Sequence, residues 1–198
     1  MCCIIRNYIP WPFLHANRIM RRLLLLRHAK TEPSEPGKED LSRVLVERGR
    51  QDSAKMGAYM ATHKLTPDCV ILSPAARSQQ TWQHMAGAKA RASAAPPDTK
   101  TLERIYDASA HDIIAAIAEQ PADVEALLIV GHNPGLHEAA LALIASGSVD
   151  ARELLREGLP TTGLVVIDFQ FDTWGKLHPQ SGRLERFVTP KSLEASSR

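Results

Sequence analysis

The chain has 198 residues, of which 44% are hydrophobic and 23% are charged, and this is the balance of an ordinary globular domain. Its formal net charge is +2 and it has no long basic run, so the composition does not indicate nucleic-acid binding. No segment is long and apolar enough to span a membrane, and the three cysteines (Cys2, Cys3 and Cys69) show no disulfide or metal-site spacing. We therefore expect a protein of the reducing cytoplasm, without a membrane partner.

Residues 1–19 are predicted to be an extension that the folded domain does not need. They mix apolar residues with Arg6, Pro10 and Pro12, and they contain neither the apolar run nor the cleavage site of a signal peptide. Met20 stands directly before the first predicted strand, so a chain that started there would enter the fold at once. We expect one domain over residues 20–190 and a disordered tail over residues 191–198.

The first predicted strand is the run Leu23-Leu24-Leu25-Leu26, which is short, apolar and bounded by basic residues, as buried strands are. It leads directly into Arg27 and His28. In open α/β sheets, ligands bind at the carboxyl ends of the strands. An arginine there offers two parallel donors to an anion, and a histidine can act as a nucleophile, a base or a charge partner.

A second buried strand, predicted over residues 69–72, also leads to polar residues. A helix over residues 47–62 precedes it, and another over residues 74–86 follows it. Ser73 suits the N-cap of the following helix and Pro74 its first position. Arg77 lies in the first turn of that helix, where free N–H groups already favour an anion.

The rest of the chain continues the alternation of strands and helices. Strands are predicted over residues 99–103 and 127–130, and helices over residues 110–119, 135–146 and 150–157. Two late strands, over residues 162–171 and 184–188, have no crossover helix between them. This order predicts an α/β sandwich with helices on both faces of a mixed, mostly parallel sheet that has an antiparallel member.

Three strand ends thus carry residues that suit one chemistry: Arg27 with His28, Arg77, and His132, which follows Gly131. Any one of them could be structural. Together, in a parallel α/β context, they predict a site that holds a phosphoryl group against an imidazole.

The segments around these residues resemble the motifs of the histidine phosphatase superfamily, also called the phosphoglycerate-mutase-like family. The matching segments are Arg27-His28, Ser73-Pro74-x-x-Arg77-x-x-Gln80-Thr81 and Gly131-His132-Asn133-Pro134. The resemblance covers residues 20–189. It implies the fold of that family, a three-layer α/β/α sandwich.

Within the superfamily, the chain most resembles the SixA-type phosphohistidine phosphatases. The features that carry this resemblance are the small size and the segments Arg27-His28-Ala29-Lys30 and Asp40-Leu41-Ser42-Arg43. The resemblance implies two-step phosphoryl transfer in which neutral His28 attacks phosphorus and water then hydrolyses the phosphohistidine intermediate.

The same resemblance assigns the other catalytic roles. Arg27, Arg77 and His132 would hold the equatorial oxygens and supply positive charge, so neither a metal nor a cofactor is expected. Arg43 and Thr31 are weaker candidates for substrate binding, and Arg43 could equally be a solvent-facing residue at a helix entry. Glu103 is the best-placed general acid, with Asp107 near it in sequence, but a surface carboxylate is slightly favoured for Glu103.

Three functions stay open at this point. A phosphohistidine on another protein, such as a phosphotransfer domain, is the favoured substrate, because an imidazole leaves without the acid that an alkoxide needs. The short span between Ser73 and Leu127 also leaves little room for a cap over the site. The alternatives are a small phosphomonoester as substrate, or a module that binds phosphorylated partners without turnover.

Overall fold

The structure is a computed structural model that describes residues 20–89 and 96–195. The strands are β1 (Arg21–Arg27), β2 (Cys69–Leu72), β3 (Asp98–Thr101), β4 (Ala126–Gly131), β5 (Ile144–Gly147), β6 (Leu164–Phe169) and β7 (Gly182–Val188). The helices are α1 (Glu47–Thr62), α2 (Ala76–Lys89), α3 (Ala110–Ala118), α4 (Gly135–Leu143), α5 (Val149–Glu157) and α6 (Pro190–Ala195). The predicted extension, residues 1–19, lies outside the described residues.

The strands form one mixed sheet in the order β3-β2-β4-β1-β6-β7-β5. Strands β2, β4 and β1 are neighbours and run parallel, so their carboxyl ends meet at one edge of the sheet. Strand β6 is antiparallel to both β1 and β7. The prediction of a mostly parallel sheet with an antiparallel member is confirmed.

Alternate residues of β1 face opposite sides of the sheet, and each side carries its own hydrophobic core. Leu23 and Leu25 pack in a cluster with residues of α3, α4 and α5, whereas Leu24 and Leu26 pack with residues of α1 and α2. All four leucines are fully buried. Successive residues of a strand face opposite sides of the sheet, and β1 is apolar on both sides. Helices therefore cover both faces, which gives the three layers predicted from the sequence.

The segment after α4 differs from the prediction of a helix to residue 146. Helix α4 ends at Leu143, and Ile144–Gly147 pairs with β7 as the edge strand β5. Gly147 has a φ of +125°, and a Cβ there would come within 2.4 Å of the carbonyl oxygen of Leu184. This close approach between backbones requires a glycine, and a long-range pairing of this kind leaves no periodic signal in the sequence.

The predicted disordered tail is wrong for the described residues beyond 190. Helix α6 covers Pro190–Ala195, while residues 196–198 lie outside the described residues. Thr189 and Ser192 cap this helix reciprocally: the Thr189 N–H donates to Oγ of Ser192 at 3.0 Å, and the Ser192 N–H donates to Oγ1 of Thr189 at 3.2 Å. Leu193 packs against the α1 and α2 side of the core, so even a short apolar contact orders the segment.

Candidate active site

The ends of three parallel strands bring the predicted site residues to one edge of the sheet. Arg27 ends β1 opposite Gly131 of β4, and the His28 N–H donates to the Gly131 carbonyl at 3.0 Å. The Ser73 N–H, just beyond β2, donates to the Val130 carbonyl at 3.1 Å. His28, Ser73 and His132 therefore follow directly on strands that are neighbours in the sheet.

His28 is a buried, neutral imidazole with a defined orientation. His28 is only 8% exposed to solvent. This burial lowers its pKa to about 4, and the positive charge of Arg77 lowers the pKa further. Its Nδ1 lies 2.9 Å from the carbonyl oxygen of Ala29. Since a carbonyl only accepts, Nδ1 carries the hydrogen and Nε2 keeps its lone pair. The Ala29 N–H in turn donates to Oγ1 of Thr81 at 2.9 Å, which fixes this backbone.

His132 lies beside His28, with 5.1 Å between the ring centroids. Its Nε2 is 2.7 Å from Oγ of Ser73. The rings of Tyr106 and His132 pack in a T-shaped arrangement, with 5.4 Å between their centroids. Burial is the main reason that its pKa falls to about 3, and the neighbouring His28 adds to the shift. In the free protein the ring is therefore neutral and offers one N–H, and the role of His132 in holding the phosphoryl oxygens stays a prediction.

Arg27 and Arg77 supply the positive charge, and each keeps donors unpaired. The Nη1 of Arg27 donates to the carbonyl of Leu159 at 2.9 Å, and burial lowers the pKa of Arg27 from its ordinary value. Arg77 is buried, and its Nη1 and Nη2 both bond to Asp40. The Nε atoms of Arg27 and Arg77 are buried without a hydrogen-bond partner in the described structure. An anion that reaches these donors would satisfy them.

Asp40 is the centre of a polar cluster that the sequence did not predict. Its Oδ2 accepts hydrogen bonds from Nη2 of Arg77 and from the Tyr106 hydroxyl, both at 2.7 Å. Its Oδ1 lies 2.9 Å from Nε of Arg43. The Tyr106 hydroxyl, followed by Arg77 and Arg43, holds the pKa of Asp40 at about 2.

The structure brings some of the weaker candidates to the site and leaves others apart. Arg43 joins the Asp40 cluster and donates from Nη1 to the Glu32 carbonyl at 3.1 Å. Thr31 donates to the Glu32 carbonyl of its own loop at 2.9 Å. Glu103 is exposed, and its side chain has no hydrogen bond or ion pair with the part of the chain that the structure describes. Asp107 is also exposed, with a φ of 49°.

Three further residues of the site were missed by the motif reasoning: Asp40, Tyr106 and Ser73 as a partner of His132. Asp40 and Arg43 are spaced i,i+3, which could have indicated an ion pair. Ser73 was predicted to cap the helix, but α2 begins only at Ala76, and the Ala75 N–H reaches Ser73 Oγ at 3.3 Å. Tyr106 gave no signal, because its role depends on a contact with a residue 66 positions away.

A large cleft opens beside the site. Its volume is about 1060 Å³, and its lining includes Arg27 and Asn133. Apolar residues such as Leu154 and Phe187 form part of its wall, and Lys30 and Lys191 bring positive charge to it. The cleft reaches the candidate site at Arg27, whereas His28, Arg77 and His132 are not among its lining residues.

Within residues 20–89 and 96–195, no group of three or more His, Cys, Asp or Glu side chains is arranged to hold a metal ion. Over the same residues, no helix is both long and apolar enough to cross a membrane.

Comparisons with known proteins match the chain over most of its length. The family model of the histidine phosphatase superfamily (branch 1) matches residues 23–95. An uncharacterized protein of Mycobacterium tuberculosis is 30% identical over 168 residues, which make up 84% of this chain and 100% of that protein.

Solved structures of similar proteins share the fold. A proposed phosphohistidine phosphatase SixA from Agrobacterium tumefaciens is 30% identical, with a TM-score of 0.71 over 86% of this chain and 98% of that one. A protein histidine phosphatase SixA complexed with tungstate is 17% identical, with a TM-score of 0.64 over 87% of this chain and 99% of that one.

Proposed function

This chain belongs to the histidine phosphatase superfamily and is of the SixA type, and from that premise we propose that it removes the phosphoryl group from a phosphohistidine of another protein. It is a phosphatase that uses a histidine nucleophile. The observation that carries the proposal is a buried, neutral His28 whose Nδ1 is held by the Ala29 carbonyl and which lies beside the charges of Arg77 and Arg27.

The first step is attack by Nε2 of His28 on phosphorus. The bond from Nε2 to phosphorus forms as the bond from phosphorus to the substrate nitrogen breaks, and the substrate imidazole leaves in its neutral form if its other nitrogen is protonated. The hydrogen stays on Nδ1, which donates it to the Ala29 carbonyl, so the lone pair of Nε2 is the one that reacts. The pKa of about 4 keeps this lone pair free at pH 7.

The second step is hydrolysis of the phosphoenzyme. A bond forms between water and phosphorus, the bond to Nε2 breaks, and the water proton passes to solvent as inorganic phosphate leaves. In both steps the donors of Arg27 and Arg77, with one N–H of His132, would hold the equatorial oxygens, where charge must be stabilised during transfer. By analogy with other oxyanion donors, each well-placed donor contributes about 3 kcal/mol.

Neither Glu103 nor Asp40 is suited to act as a general acid, and this favours a P–N substrate over a phosphate ester. Glu103 is exposed and makes no side-chain contact with the site among the described residues. Asp40 lies at the site, but with a pKa of about 2 it is ionised at neutral pH and has no proton to give. An imidazole leaving group that already carries a proton on its other nitrogen needs less help from an acid than an alkoxide does.

The open cleft favours a protein over a small molecule as the carrier of the phosphoryl group. A phosphohistidine projecting from a protein surface could reach Arg27 while the residues around it lie in the cleft. The apolar wall and the charges of Lys30 and Lys191 would suit a segment that is partly apolar and partly acidic.

The test is a substrate panel with wild type and His28→Ala. A protein that bears phosphohistidine, for example a histidine phosphotransfer domain, is compared with a set of phosphate esters by kcat/KM. We expect a strong preference for the P–N substrate that is lost in His28→Ala. His111→Ala is the matched control, since His111 is 91% exposed at its side chain. Preference for esters would contradict the proposal and make Glu103 and Asp107 the next residues to test.

We propose in addition that the catalytic domain does not need residues 1–19. The first described strand, β1, starts at Arg21 and pairs with both of its neighbours along its length. Deletion of residues 1–19 should leave kcat/KM and the melting temperature unchanged, and loss of folding would contradict this.

The one described cysteine, Cys69, is a free buried thiol, which fits the expected cytoplasmic location.

A further inference from the structure

Asp40 binds both terminal nitrogens of Arg77 at the candidate active site. The Nη1 of Arg77 donates to the backbone carbonyl of Asp40, and Nη2 donates to its side-chain Oδ2, both at 2.7 Å. One residue thus captures both terminal nitrogens of the guanidinium. The exposed fraction of the side chain is 5% for Arg77 and 42% for Asp40.

This end-on arrangement leaves the Nε edge of the guanidinium unpaired among the described residues, and the Nε itself is buried. Each terminal nitrogen carries two hydrogens and uses one of them on Asp40. The hydrogen of Nε, together with the second hydrogen of Nη2 beside it, forms the side-on fork that matches two oxygens of a phosphoryl group. The Nε of Arg77 has no partner among the described residues, in agreement with this assignment.

Asp40 is itself held from two further directions. The Tyr106 hydroxyl donates to Oδ2 at 2.7 Å, and the Tyr106 ring packs with its edge on the ring of His132. On the other side, Nε of Arg43 lies 2.9 Å from Oδ1, an ion-pair contact without hydrogen-bond geometry. The carboxylate can therefore fix the guanidinium in one orientation, because its own position is fixed.

We propose that Asp40 is a positioning residue that holds Arg77 so that its Nε edge faces the phosphoryl group. This inference rests on the proposed function, since it assumes that Arg77 binds the phosphoryl oxygens. Asp40 does not touch the substrate in this role and acts through Arg77.

The opposite role would give the opposite effect on phosphate binding. If Asp40 only placed a negative charge at the site, its removal would strengthen the binding of an anion. If Asp40 positions Arg77, its removal frees the guanidinium to rotate and weakens that binding. The two positive charges that face Asp40, on Arg77 and Arg43, reduce the repulsion, so we expect the loss of orientation to dominate.

The experiment measures binding of inorganic phosphate to the full chain by calorimetry, together with the steady-state kinetics. For Asp40→Ala we expect phosphate affinity and kcat to fall by about 10- to 100-fold, with Asp40→Asn between it and wild type. The matched control is Asp168→Asn, which removes a carboxylate that bonds Arg22 at 2.7 Å at the far edge of the sheet. This control should bind phosphate as wild type does.

A double-mutant cycle separates positioning from a general structural effect. With Arg77→Lys as background there is no fork to orient, so Asp40→Ala should weaken phosphate binding by less than about twofold. Tighter phosphate binding by Asp40→Ala, or an equal loss in both backgrounds, would overturn the proposal. Binding of inorganic phosphate does not depend on which substrate is hydrolysed. The proposal for Asp40 can therefore be correct even if the chain does not hydrolyse phosphohistidine. If wild type hydrolysed the phosphohistidine protein but bound no phosphate, the proposal for Asp40 alone would be wrong.

Discussion

Two arginine–carboxylate pairs at opposite edges of the same sheet use their donors differently. At the amino end of β1, Arg22 donates from Nε and Nη2 to the two oxygens of Asp168, each at 2.7 Å. At the carboxyl edge, Arg77 donates from Nη1 and Nη2 to Asp40, also at 2.7 Å. The first pair uses the side-on fork, whereas the second leaves that fork unused.

The difference separates a pair that can only stabilise from one that can also bind. With its side-on fork on Asp168, Arg22 has no fork left for another anion. Arg77 is held as firmly, but it keeps the donors that suit a phosphoryl group, and Arg27 keeps its Nε as well. The presence of an arginine beside a carboxylate therefore does not decide its role; the choice of nitrogen atoms does.

The largest expected effect comes from Arg77→Lys, which keeps the charge and removes the fork. We expect kcat/KM to fall by about 10²- to 10³-fold, the loss usual for one preorganised donor to a transition state. Arg22→Lys is the matched control and should leave kcat/KM within about twofold of wild type. Equal losses in the two variants would show that the comparison between the two edges is wrong.

A change of pH should affect catalysis at the carboxyl edge of the sheet through the two buried imidazoles, His28 and His132. Burial lowers the pKa of His28 to about 4, so the neutral, nucleophilic form dominates at every pH above that value. The profile of kcat/KM with a small P–N substrate should be flat from pH 7 to pH 5 and fall about tenfold per unit below pH 4. A midpoint near pH 6.5 would show that His28 is not desolvated in the free enzyme.

The same shifts predict how stability depends on pH. The pKa of His28 and that of His132, about 4 and 3, lie below the value near 6.5 of an unfolded histidine. As pH falls from about 6.5 towards 4, the unfolded chain takes up protons first, so the free energy of unfolding decreases. The stabilisation is present above pH 6.5. Urea denaturation at pH 7 and pH 5 measures the change, and higher stability at pH 5 would contradict it.

Tyr106→Phe tests how Asp40 is held and should have a moderate effect. It removes one hydrogen bond to Oδ2 while keeping the ring against His132. We expect kcat/KM to fall about tenfold, because a hydrogen bond to a charged group is worth roughly 1.5 kcal/mol or more. The pKa of Asp40 should rise from about 2, since Tyr106 is the largest cause of its low value. No change in either quantity would place Tyr106 outside the cluster's function.

The smallest effect on activity is expected from Asp168→Asn, in the pair at the amino end of β1. The side chains of Arg22 and Asp168 are 31% and 13% exposed, so the pair is partly buried. Its loss should lower the free energy of unfolding by about 1 kcal/mol and leave kcat/KM unchanged. Thermal or urea unfolding measures the first, and a lowered kcat/KM would show that the two edges are coupled.

The local signals in the sequence predicted the fold well wherever an element is apolar and periodic. The run from Leu23 to Leu26, buried on both faces, and the alternation of strands and helices were enough for the three layers and the mixed sheet. The edge strand β5 was missed, because its pairing with β7 depends on a long-range approach at Gly147. Helix α6 was missed because one leucine and a cap, rather than a periodic face, hold it in place.

For the site, residues at strand ends could be predicted and residues on loops could not. Arg27, His28 and His132 follow directly on buried strands, so their common edge could be inferred, and their catalytic roles remain predictions. Asp40 and Tyr106 lie 66 positions apart and meet only through the folded loops. The low pKa of His132 could not be predicted either, because it results from burial.

The most direct measurement is trapping of the phosphoenzyme. Wild type is mixed with a labelled phosphohistidine protein, the reaction is quenched in base within milliseconds, and the labelled residue is located by mass spectrometry of peptides. We predict up to one phosphoryl group per chain on His28, in a bond that is stable to base and labile to acid, and no label in His28→Ala. Label on His132, or turnover without any labelled histidine, would contradict the account.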